Sequence, residues 1–172
     1  MSANAVYNNP SPETELLVSR FTPRMTIQLG WDDLLIRDLP PNDCGRWRAH
    51  WSGWITGRVL PLYMSKFGDW FLRHPDGSTS ELSVIEGTYS RIASTPDEFT
   101  GLVNSREWQE EHLLSLVVYQ LHERKIIPDQ GQCYGFTLHP HLLGRLDSSQ
   151  AMVMEIGAWQ AVCASFLNAR PQ

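Results

Sequence analysis

KFGDWFLRHPDGSTSELSVIEG, Lys66 to Gly87, decides how the rest of the chain is read. DWFLRH, residues 69–74, is aromatic and branched enough to predict a strand. In HPDG, Pro75 pre-sets φ for a type I turn, Asp76 closes on the backbone, and Gly77 takes a positive φ. STSELSVI then returns as the partner strand, ended by Glu86 and Gly87. Upstream, VLPLYM, residues 59–64, predicts a further strand, set off by Ser65 to Gly68. Asp76 is assigned to the turn, because a calcium loop needs more oxygen ligands at alternating positions and GSTS offers no carboxylate.

Outward from this stretch the chain alternates in kind. Trp47, Trp51 and Trp54 follow the i, i+4, i+7 spacing that puts three side chains on one helical face, over residues 42–57, with Asn42 or Asp43 as cap. They form either a core-facing stripe or an aromatic platform for a partner. In STPDEF, Thr95 as N-cap, Pro96 at the first position and Glu98 at the third predict a capping box. Ser105 caps a second helix, carrying Trp108, Leu114, Val117, Val118 and Leu121 and running to about Arg124. QCYGFTLHPHLLG alternates, with Tyr134, Phe136 and Leu138 on one side and Cys133, Gly135, Thr137 and His139 on the other, predicting a strand with one buried face. AMVMEI is a further strand, and AWQAVCASFLNA a helix with Trp159, Val162, Cys163, Phe166 and Leu167 on one stripe.

Nearer the start, MTIQLGW reads as a short strand and WDDLLIRDL as one or two helical turns. Residues 1–13, with two prolines, are expected to form a flexible arm, leaving 14–172 as a single domain. The 172 residues suffice for a sizeable core, in which seven Trp, five Tyr and six Phe weigh heavily.

Net charge is −5 and the basic residues are scattered, which disfavours direct nucleic-acid binding and suits a basic partner. Three cysteines without CxxC spacing fit a reducing compartment, and the first residues lack a signal-peptide pattern, so the expected location is cytoplasmic. LLSLVVYQL, the longest strongly apolar run, is about half the roughly 20 residues a membrane helix needs.

Three groups of residues raise the question of chemistry. Cys133, His139 and His141 share one parity and are the ligand types of some zinc sites, although Pro140 interrupts the alternation. WQEEH, residues 108–112, has the composition of a zinc-protease helix without its order, and Glu110 and Glu111 are better explained by a helix N-terminus. Cys163 belongs to the apolar stripe, whereas Cys44, among polar residues, is the more exposed thiol. The expected cofactor is therefore none.

FGDWFLRHPDG with LSVIEG, the capped STPDEF helix, the LLSLVVYQL helix and GQCYGFTLHPHLLG with its closing strand and helix succeed one another over about residues 59–167. In this order they resemble the C-terminal domain of type VI secretion immunity proteins that neutralise DNase toxins. The resemblance implies an α+β fold, a meandering antiparallel sheet packed by helices, with no catalytic residues. The reading that follows is a non-enzymatic protein similar to an immunity domain that blocks a toxin by direct binding; the acidic charge suits a basic toxin, and the expected state is monomer or homodimer. Composition suggests Trp47, Trp51, Asp69, Trp70, Asp76, Glu86 and Tyr89 as contact residues. The alternatives are a metal- or cysteine-dependent enzyme using Cys133, His139 and His141, and a structural or regulatory module that self-associates through exposed tryptophans.

Overall fold

Five segments between Leu35 and Ala93 pair in chain order to build an antiparallel meander: β1 (Leu35–Ile36), β2 (Leu60–Ser65), β3 (Trp70–Arg73), β4 (Thr79–Ser83) and β5 (Thr88–Ala93). The structure, a computed structural model, describes residues 28–143 and 146–169. The expected arm at 1–13 and most of MTIQLGW lie outside these residues. Gln28 to Gly30 form no strand.

Each reversal has a local cause. Between β2 and β3, Ser65 Oγ accepts the Phe67 and Asp69 amides at 3.2 and 3.0 Å and donates to Asp69 Oδ2 at 2.7 Å. Gly68 closes that turn at φ +96°. Between β3 and β4 the expected turn is present: Gly77 N–H donates to His74 O at 3.0 Å, His74 N–H to Ser78 O at 2.8 Å, and Gly77 has φ +86°. Asp76 Oδ1 accepts the Ser78 amide and hydroxyl, and its other oxygen meets Arg91 at 3.1 Å. Those Ser78 bonds hold the Asp76 carboxyl down at about 2. The strand β5, with no counterpart in the sequence pattern, pairs Ser90 with Glu81 and Tyr89 with Leu82. It is an edge strand and largely exposed, whereas β4 is buried along most of its length.

The helices beside the meander are α1 (Trp31–Leu34), α2 (Pro41–Ala49), α3 (Pro96–Val103), α4 (Arg106–Leu113) and α5 (Ser115–Glu123). At α3, Thr95 Oγ1 accepts the Glu98 amide at 3.1 Å as expected, while the Glu98 carboxylate takes the Ser94 amide at 2.6 Å, one residue before the cap. Thr95→Ala is expected to cost about 1 kcal/mol of unfolding free energy, measurable by urea titration, and Thr95→Ser to cost less than half of that.

Two expected helices end early. The one over 42–57 runs only over Pro41–Ala49, with Pro40 as N-cap and Pro41 at its first position in place of a cap by Asn42 or Asp43. Trp51 and Trp54 lie in the turns that follow, so the three indoles do not form one helical stripe. The helix expected to reach Arg124 breaks at Leu114, which is left-handed at φ 52°. Glu110 fixes the corner: its carboxylate accepts the Ser115 hydroxyl at 2.9 Å and the Leu116 amide at 2.7 Å, capping α5. The helix-start role anticipated for Glu110 therefore belongs to the next helix.

A hairpin of β6 (Gln132–Phe136) and β7 (Ala151–Glu155) follows, joined through the short α6 (Pro140–Leu143) and a 3-10 turn at Ser148–Gln150, and the chain ends in α7 (Ile156–Asn168). The Tyr134 amide donates to Lys66 O at 2.7 Å, tying this hairpin to the meander. β6 is buried on both faces, not one, because Phe67 packs on Tyr134 and stacks on Phe136 while the opposite side at Gly135 is closed by Trp159. On α7, Val162 is 47% exposed, and the buried stripe runs instead through Ile156, Trp159, Gln160, Cys163, Ala164 and Leu167.

The sheet is covered on both sides. Phe71 packs on Phe99 and Trp108, whereas Trp70, the adjacent residue and hence on the other face, reaches Gln160 of α7. This is the α+β architecture of an antiparallel sheet packed by helices. No helix among the described residues is long and apolar enough to cross a membrane.

Candidate partner-binding groove

An open groove of about 1140 Å³ runs between α2, the segment after β1, the end of β2 and the start of the β6–β7 hairpin. Antiparallel pairing of β1 with β2 brings Lys66 beside Asp32, and the Ile156 N–H bond to Gly131 O sets the 128–132 loop against the β7–α7 junction. The groove is lined by Asp32, Asp38, Asp43, Asp129 and Glu155, against Arg37, Arg46 and Lys66. Arg37 pairs with Asp32 at 2.7 Å and Arg46 with Asp43. Asp38, Asp129 and Glu155 remain against Lys66, whose ammonium is half-buried with its pKa lowered by that burial. The field of the groove is therefore acidic.

Trp47 forms part of the wall. It is half-buried, and its indole Nε1 lies 2.9 Å from where a Cβ on Gly157 would stand, so a residue without a side chain is what seats the ring. Glu155, two residues earlier, accepts the Gln132 side-chain amide at 3.1 Å.

A smaller cavity of about 340 Å³ lies over β4, lined in part by Asp69, Glu81, Glu111 and His112. His112 stacks on Trp108 at 4.6 Å and its Nδ1 meets Glu81 Oε2 at 2.6 Å. The Glu81 bond raises the His112 pKa. Burial, then the neighbouring Glu81 charge, pushes Asp69 up to about 6, although Asp69 accepts bonds from Ser65 and the Val84 amide. Most of its polar capacity is thus spent fixing the β2–β3 turn to the end of β4.

The anticipated residues divide sharply by burial. Trp51 and Trp70 have no exposed surface, and both indole N–H groups donate to Gln160 Oε1, at 2.6 and 2.9 Å. They are core residues and offer no contact face. Asp69 is likewise buried, at 4% exposure. Asp76 and Glu86 lie on exposed turns, and half-buried Tyr89 sits 3.5 Å from His74 Nε2. Among the seven contact candidates, Trp47 alone lines the groove.

The Cys133, His139 and His141 set is not presented by one strand, because β6 ends at Phe136. Cys133 is fully buried, and burial pushes its thiol up to about 12. His139 is buried too, stacked on Phe166 and Trp159 with Nε2 3.3 Å from Val84 O. The His141 side chain lies outside the described residues. Among the described residues no group of three His, Cys, Asp or Glu side chains has metal-binding geometry. Cys44, expected to be exposed, is 9% exposed on α2 and its thiol pKa is raised by burial. Cys163 is fully buried, as its place on the stripe predicts.

Lys66, Asp38, Asp129 and Glu155 carry no partner-binding signal in sequence, since they meet only through long-range packing. No family model matches the chain, and no curated protein matches it significantly. Among solved structures, the crystal structure of Atu4351 from Agrobacterium tumefaciens is similar over 89% of this chain and 75% of that one, with 16% sequence identity and a TM-score of 0.49.

Proposed function

We propose that the chain is a non-enzymatic protein-binding domain, similar in its mode of action to immunity domains that neutralise nuclease toxins, which engages a basic partner protein through the acidic groove. The observation that carries this reading is the surplus of carboxylates around Trp47 once Arg37 and Arg46 are paired internally. Acidic complementarity of this kind steers encounter with a basic face, and a half-buried tryptophan supplies an anchor of the type that dominates interface energetics. The burial of Cys133 and the engagement of His139 support the same reading over a thiol-based one. Three buried or nearly buried thiols agree with action in the reducing cytoplasm.

Coexpression with the protein encoded by the adjacent gene, followed by affinity capture, tests it. A basic nuclease is expected to copurify and lose activity, and Asp38→Lys with Asp129→Lys is expected to weaken the complex by about tenfold or more, chiefly through slower association. Capture that survives the double reversal unchanged, or no complex at micromolar concentration, overturns the proposal.

A further inference from the structure

Resting on that reading, we propose that the groove takes an arginine side chain of the partner, with its guanidinium laid against the Trp47 indole and its N–H edge turned to the Glu155 carboxylate. Three features converge on this. Gly157 seats one edge of the Trp47 ring on α7, leaving the half-buried indole as groove wall. Glu155 gives Oε1 to the Gln132 amide, while among the described residues its Oε2 accepts no hydrogen bond. Glu155, Gly157 and Trp47 all line the groove, so the carboxylate and the ring face the same space.

The resident cations do not fill this corner. Arg37 is held by Asp32 and Arg46 by Asp43, while Lys66 is half-buried and opposed by Asp33 and Asp32. An incoming cation therefore meets Asp38, Asp129 and Glu155 as the groove carboxylates that form no ion pair among the described residues. Arginine fits better than lysine. Its planar guanidinium stacks on an indole and presents a donor fork to a carboxylate, whereas an ammonium is a compact, strongly hydrated point charge.

Calorimetric titration of the whole chain with hexa-arginine and hexa-lysine peptides at low ionic strength tests the assignment. Hexa-arginine is expected to bind about fivefold or more tighter than hexa-lysine. Trp47→Leu is expected to abolish the preference, and Glu155→Gln, at an exposed position that leaves the core intact, to weaken hexa-arginine by about fivefold. Equal affinities on the unaltered chain, no binding of either peptide, or a preference that survives both variants overturns it. If the natural partner is captured by the unaltered chain and equally by both variants, the arginine assignment falls and the binding reading stands. If the unaltered chain captures no partner, the binding reading itself falls.

Discussion

Gln160→Leu is expected to lower the melting temperature by roughly 10 °C or more. Gln160 has no exposed surface, and all its side-chain polar atoms are engaged. Oε1 accepts the indole N–H groups of Trp51 and Trp70, and Nε2 donates to the Gly68 carbonyl at 2.7 Å. Leucine fills much of the volume but strands two buried donors and one acceptor, each at about 1–3 kcal/mol. Against a total stability of about 5–15 kcal/mol, that sum approaches the margin of folding. Gln160→Glu separates the contributions: it keeps the acceptor for both indoles but can donate to the Gly68 carbonyl only while its buried carboxyl is protonated, so its destabilisation should grow with pH. Thermal unfolding followed by circular dichroism reads both variants. A melting temperature within about 2 °C of the unaltered chain for Gln160→Leu would remove the glutamine from its structural role.

The second large effect is on pH. The Asp69 carboxyl sits at about 6 in the fold against an ordinary 3.8, so the folded state keeps a proton that the unfolded chain releases. Stability therefore declines as pH rises from about 4 to about 6, by roughly 3 kcal/mol. His112 is raised above its ordinary 6.5 by Glu81, so its contribution is whole below 6.5 and is lost as pH rises through the folded value. Both groups make the protein more stable at pH 5 than at pH 8. Urea unfolding across that range should show the decline. Asp69→Asn should flatten the lower limb and His112→Gln the upper one. A stability that rises from pH 5 to pH 8, or an unchanged slope in Asp69→Asn, would contradict the burial of Asp69 beside Glu81.

What the sequence made legible was whatever is written in a few adjacent residues. The HPDG turn, the Thr95 cap and the Ser105 cap depend on contacts within four positions, and each is present. The strands around the first turn followed from the same local chemistry. Patterns needing tertiary context misled. The spacing of Trp47, Trp51 and Trp54 imitates a helix, yet Trp51 is held through Gln160, 109 residues away, and Trp54 through Asn168. The alternation at 133–139 suggested one wet face, but both faces of β6 are covered by segments distant in sequence. The helix break at Leu114 has no glycine or proline to announce it. The groove was the least legible feature, because Asp38, Lys66, Asp129 and Glu155 converge only after the sheet, the hairpin and α7 have assembled.

The dependence of Trp70 on an acceptor 90 positions downstream also sets a clock for biogenesis. At about 5–20 residues per second, the ribosome needs roughly 5–18 seconds to make the intervening chain. Throughout that interval the nascent meander carries an indole whose partner does not yet exist. Until the glutamine emerges, the Trp70 indole is exposed apolar surface of the kind that makes incomplete chains prone to aggregate.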